Sequence, residues 1–156
     1  MGINLLQFFT SNEETGVVNN LINEINLVSL NTYAYITKTD TATATLTAAN
    51  MTAAHDQVFV LMTGATAGST ITLDTVANLV AALQNQWGPG VSIPGTSFVI
   101  RIINHGGGNT WTLTTATGWT LTGTMTVANN TWRDFVVAID TATAARFQSV
   151  GIGTES

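Results

Sequence analysis

From Thr41 the chain reads "TATATLTA": Thr41, Thr43, Thr45 and Thr47 alternate with Ala42, Ala44, Leu46 and Ala48. Side chains of a strand point to opposite faces with a period of two, so this alternation describes a strand with one polar and one apolar face. A helix of the same sequence would scatter both kinds around its circumference. The pattern returns in "NTWTLTTATGWTLTGTMTVANNTW", residues 109–132, which holds three tryptophans, ten threonines and no charged side chain. There Trp111 and Leu113 share one face, and Trp119, Leu121, Met125 and Val127 share another, with threonines opposite. These tryptophans, Trp111, Trp119 and Trp132, are expected in the core or at a subunit interface.

The rest of the chain from Thr41 punctuates this pattern. "AANMTAAHD" reads as a turn or single helical turn, "QVFVLMTG" and "STITLD" as strands, and "TVANLVAALQNQW" as a helix. That helix is begun by Asp74 or Thr75 as N-cap and stopped by Gly88, Pro89 and Gly90. "TSFVIRIINH" is apolar on both faces, as a central strand of a two-layered body should be, and "GGGN" after His105 reads as a hairpin reversal. "ANN" and "DTATA" mark further turns before a closing "RFQSVGIG" strand. Seven to eight short strands with frequent turns predict a mainly β fold: an antiparallel, jelly-roll-like sandwich over residues 41–156, crossed by one short helix.

Residues 1–40 are of a different kind and are expected to form an N-terminal arm. Ser11 and Glu14 fit a capping box, followed by Val17, Val18, Leu21, Ile22, Ile25 and Val28 at helical spacing. "LNTYAYITKTD" then reads as extended chain. The arm is too apolar for a free tail and too short for a core of its own, which makes Leu5, Leu6, Phe8, Phe9, Val18, Leu21 and Ile25 candidate interface residues.

Charge narrows the function. Charged residues are 8% of the chain, against about 25% in an ordinary soluble domain, and the net charge is −5. The four basic residues Lys38, Arg101, Arg133 and Arg146 are scattered, so no cationic track for nucleic acid is expected. Cysteine is absent, which removes disulfides and thiol chemistry. No apolar run approaches 18 residues and no basic n-region precedes one, so neither a membrane span nor a signal peptide is expected.

No constellation of catalytic groups emerges. His55 and His105 stand 50 residues apart with no third ligand at metal-binding spacing, no serine sits in a G-x-S-x-G elbow, and no carboxylates pair for acid/base work. "GGGN" lacks the lysine and following helix of a phosphate loop. The expectation is a non-enzymatic protein without cofactor, metal or small-molecule substrate. Arg101, flanked by Val99 and Ile103 on an apolar strand, and Arg133, beside Asp134, need partners, either within the chain or across a subunit interface. The threonine face has three readings, in order: ordinary solvent-facing sheet, protein contact surface, or carbohydrate platform.

Three stretches together resemble a β-rich domain of tailed-bacteriophage virion proteins, including capsid decoration (cement) proteins, head fibres and some tail-fibre modules. They are "LTAANMTAAHDQVFVLMTGATAGSTITLDTVANLVAALQ", "GTSFVIRIINHGGGNTWTLTTATGWTLTGTMTVANNTWRDFVV" and "ARFQSVGIGTES". The resemblance covers roughly residues 46–153 and contains no catalytic motif. It implies a structural virion protein at the capsid surface, often a homotrimer, bound to a major capsid protein. The alternative it leaves open is a tail- or head-fibre module that binds a host surface glycan or receptor.

Overall fold

The structure, a computed structural model, describes residues 33–54, 56–88 and 93–155. The arm positions Leu5, Leu6, Phe8, Phe9, Val18, Leu21 and Ile25, the helix expected after Ser11, and His55 lie outside the described residues.

From Tyr33 the chain lays its strands alternately in two sheets. β1 (Tyr33–Lys38), β3 (Gln57–Thr63) and β5 (Ser97–His105) run parallel in one, while β2 (Thr43–Leu46), β4 (Thr70–Leu73) and β6 (Trp111–Thr114) run parallel in the other. Four later strands complete the sheets: β7 (Trp119–Thr122), β8 (Thr126–Val127), β9 (Thr131–Thr141) and β10 (Ala144–Thr154). The larger sheet has the order β1, β3, β5, β9, β10, β7, and the smaller the order β2, β4, β6, β8. β9 is antiparallel to β5 and β10, β8 is antiparallel to β6, and β7 is parallel to β10.

The fold is therefore mainly β, but the expected antiparallel jelly roll is corrected to two mixed sheets. From β1 to β6 successive strands do not pair; β1, β2, β3 and β4 each pair with the strand two further on, and the chain returns through crossovers, whereas β9 and β10 pair directly. Parallel neighbours need such connections, and two of them contain helices, α1 (Ala48–Met51) between β2 and β3 and α2 (Val76–Trp87) between β4 and β5. The glycine run is corrected too. It links β5 of the larger sheet to β6 of the smaller, so it is a corner between sheets and not a hairpin. Gly106, Gly107 and Gly108 all have positive φ, and a Cβ on Gly107 would lie 2.5 Å from the Ala65 amide nitrogen. Asn104 Nδ2 holds the corner by donating to the carbonyls of Asn109 (2.8 Å) and Val127 (3.0 Å).

Both helices start where the sequence provides a cap. Thr47 Oγ1 accepts from Asn50 N while Asn50 Oδ1 accepts from Thr47 N, and Thr75 Oγ1 accepts from Asn78 N. Asp74, the other candidate cap, joins the helices. Its carboxylate accepts from the amides of Ala48 (3.0 Å) and Thr75 (2.8 Å) and from Asn78 Nδ2 (2.7 Å). Burial pushes the Asp74 carboxyl up, but these hydrogen bonds outweigh it and hold the group below its ordinary value of 3.8.

One core serves both sheets. Leu46, Ile71, Leu73 and Trp111 come from the smaller sheet, Val58, Val60, Ile100, Ile102, Phe135 and Phe147 from the larger, and Val76, Leu79, Val80 and Leu83 from α2. Trp111 is fully buried, as its face predicts. Trp119 packs against the edge of this core, its ring perpendicular to Phe147 and its Nε1 donating to Asp74 O at 2.6 Å.

Candidate interaction surface

The period of two that points alternate side chains into the core leaves each sheet a second, outward face, and the strand registers determine what meets there. On the smaller sheet, Thr43, Thr70, Thr112 and Thr126 stand abreast in one row across the four strands. Thr45, Thr72 and Thr114 form a second row, with the hydroxyls of Thr72 and Thr114 hydrogen-bonded at 3.0 Å. The Thr/apolar alternation read from the sequence is thus a two-row array of hydroxyls.

The outer face of the larger sheet is different. One row runs Tyr35, Phe59, Arg101, Asp134, and the next runs Thr37, Leu61, Ile103, Trp132. Gln57, Val99 and Val136 continue the surface on the other side of the Arg101 row. Tyr35 lies flat on Phe59, with ring centroids 4.6 Å apart and an interplanar angle of 6°. The Arg101 guanidinium carbon lies 5.6 Å from the Phe59 ring centre and 3.8 Å from that of Trp132. Tyrosine, phenylalanine, guanidinium and indole thus form a continuous contact across β1, β3, β5 and β9. Arg101 is fixed there by a fork of two hydrogen bonds, Nε to Asp134 Oδ1 (2.7 Å) and Nη2 to Asp134 Oδ2 (2.8 Å). That bond raises the guanidinium pKa above its ordinary value, against the opposing effect of burial.

Unlike Trp111 and Trp119, Trp132 is not part of the core. It stands on the outside of the larger sheet, where Gly153 leaves room for its ring: a Cβ on Gly153 would lie 2.3 Å from the indole. Tyr33 and Tyr35 are 60% and 76% exposed, so this aromatic surface is open to solvent along β1.

Of the sequence candidates in the described residues, Arg101 belongs to this surface and is paired within the chain. Arg133 points to the other side of β9, where Nε donates to Thr126 O and Nη1 to Ser149 Oγ, each at 2.9 Å. The two arginines, adjacent to opposite faces, do not form one site. β1, which falls inside the expected 1–40 arm, is built into the larger sheet and supplies Tyr33 and Tyr35, so the described body begins by Tyr33. Sequence reading missed Tyr35, Phe59, Trp132 and Asp134 as one surface. The available signal was the two tyrosines two apart in "TYAYI" and the aromatic Phe59 in "VFVL", but which strands become neighbours was not written there.

His105 Nδ1 lies 2.8 Å from Glu155 Oε1, and among the described residues no group of three or more His, Cys, Asp or Glu side chains is placed to hold a metal ion. Among the same residues no helix is long and apolar enough to cross a membrane. The fold and surface thus define a mainly β protein with two mixed sheets and one aromatic outer face. Comparison of the chain with family models, with curated proteins and with solved structures returns no match.

Proposed function

We propose that this chain is a non-enzymatic structural protein of the virion, a β-sandwich that oligomerises, as a trimer, and decorates the surface of a bacteriophage capsid by contact with the major capsid protein. The observation that supports this reading best is the outer face of the larger sheet. Apolar and aromatic side chains contiguous over four strands and rimmed by polar ones are what protein contact surfaces present. A chain with 8% charged residues has few groups to keep such a face from associating, and the resemblance of residues 46–153 to decoration and head-fibre domains points the same way. The apolar arm supplies a second contact in this reading.

The test is particle based. Capsids assembled with and without the protein are compared for occupancy by cryo-electron microscopy and for survival on heating. Decorated shells survive higher temperatures, and a chain lacking residues 1–30 loses occupancy while its body stays folded. Shells that never take up the protein overturn the reading. A second reading, a fibre module for a neutral host glycan, draws on the exposed rings of Tyr33 and Tyr35. It predicts saturable binding of an oligosaccharide that Tyr35→Ala abolishes.

A further inference from the structure

We propose that the aromatic outer face of the larger sheet is where copies of this chain meet one another, the same face of each copy packing about a symmetry axis. The inference rests on the assembly reading above and names the surface and its occupant.

The chemistry of the face selects a protein over the other partners open to it. A nucleic acid needs cations facing outward, and the one cation here, Arg101, is committed to Asp134 through its Nε and Nη2. A sugar needs free hydrogen-bonding groups beside the aromatic ring. The two rows flanking the stack hold one such residue each, Thr37 and Gln57, and are otherwise mostly aliphatic, Leu61, Val99, Ile103 and Val136, a surround that suits other apolar side chains better than hydroxyls.

Charge selects a copy of the same chain. Arg101 and Asp134 stand side by side across β5 and β9 and cancel one another, so the centre of the patch carries no net charge. A face with an unbalanced charge would repel its own copy; one whose charges cancel within it is complementary to itself. Because the pair is already made, it enters an interface with its two charges neutralised and leaves no unpaired ion behind. Tyr35 and Trp132, at the two ends of the stack, are residue types that dominate buried contact centres. Tyr35 is 76% exposed, leaving much of its ring for a neighbour to cover.

The experiment uses the purified full chain in the absence of capsids. Light scattering at micromolar concentration is expected to give a defined oligomer for the unaltered protein. Tyr35→Lys and, separately, Leu61→Lys are expected to raise the dissociation constant by about tenfold or more, with thermal melts showing that each variant is folded. Thr45→Lys, on the threonine face, is expected to leave the mass unchanged. A monomeric unaltered chain, two folded lysine variants that keep its mass, or dissociation by Thr45→Lys as strong as by Tyr35→Lys each overturn the proposal. A monomer that binds a neutral oligosaccharide through Tyr35 overturns it in favour of the glycan reading. Loss of capsid occupancy with an intact oligomer counts against decoration and leaves this interface standing.

Discussion

The two sheets share one core and turn opposite kinds of surface outward. The smaller sheet shows rows of threonine, Thr43, Thr70, Thr112, Thr126 and Thr45, Thr72, Thr114. The larger shows Tyr35, Phe59, Arg101 and Trp132 in contact, with Leu61 and Ile103 beside them. Both faces are built from β-favouring residues, so propensity does not separate them. What separates them is the second side of each strand. Threonine gives a strand a β-branched stem and a hydroxyl that water can satisfy, while stacked rings and aliphatics leave apolar area exposed. Each sheet begins with three parallel strands, which are usually covered on both sides, so it is the side chains and not the strand direction that separate the two. The larger sheet resembles a sheet that expects a second cover, and the smaller one does not.

Substitutions can break or sharpen that contrast. The largest effect belongs to the core both sheets share: Trp111→Ala should destabilise the body by about 3–5 kcal/mol in urea unfolding, whereas Thr112→Ala, the next residue and on the threonine face, should stay within about 0.5 kcal/mol. If Thr112→Ala costs as much as Trp111→Ala, the threonine face is not a solvated surface. Next comes Gly153→Ala, whose new methyl group meets the Trp132 ring. Displacing the indole should cost roughly 1–3 kcal/mol and shift tryptophan fluorescence toward that of an exposed ring. An unchanged spectrum would mean that Trp132 is not seated over Gly153.

A smaller effect is expected from Asp134→Asn, which keeps the shape but removes the charge that fixes Arg101. Because Arg101 and Asp134 side chains remain 27% and 18% exposed, solvent screening limits the loss to about 1 kcal/mol, with most of it gone in high salt. Asp140→Asn, at the exposed pair with Arg146, should do less still. The last prediction concerns acid. Asp74 has its folded pKa depressed below 3.8, so the stability it contributes is fully present above that value and is lost as the pH falls through the lower, folded one. The difference in stability between the unaltered chain and Asp74→Asn should therefore be constant near neutral pH and narrow below about 3.8. A gap that stays constant down to strong acid would show that the Ala48, Thr75 and Asn78 contacts do not hold the carboxylate.

Much of this architecture can be read directly from residue order. Alternation marks Leu46, Ile71, Trp111 and Leu113 as inward and their threonine neighbours as outward, and each is found so. The helix after Asp74 is equally legible, with its cap at Thr75, its buried stripe of Val76, Leu79, Val80 and Leu83, and its end at Gly88. These are local properties: a period and a cap depend on residues a few positions apart.

Pairing is not local, and there the reading departs from the structure. A period of two is the same in parallel and antiparallel strands, so nothing in "TATATL" or "TITL" says that β2 lies parallel to β4, or that the glycine run turns a corner between sheets. For the same reason the sequence determined that Tyr35, Phe59, Arg101 and Trp132 each lie on one face of some strand, and that Arg101 needs an anion. Only the tertiary structure decided that β1, β3, β5 and β9 stand in that order. Hydrogen bonds between backbones set that order without regard to distance along the chain, bringing residues 35, 59, 101 and 132 into one stack and placing Asp134 opposite Arg101.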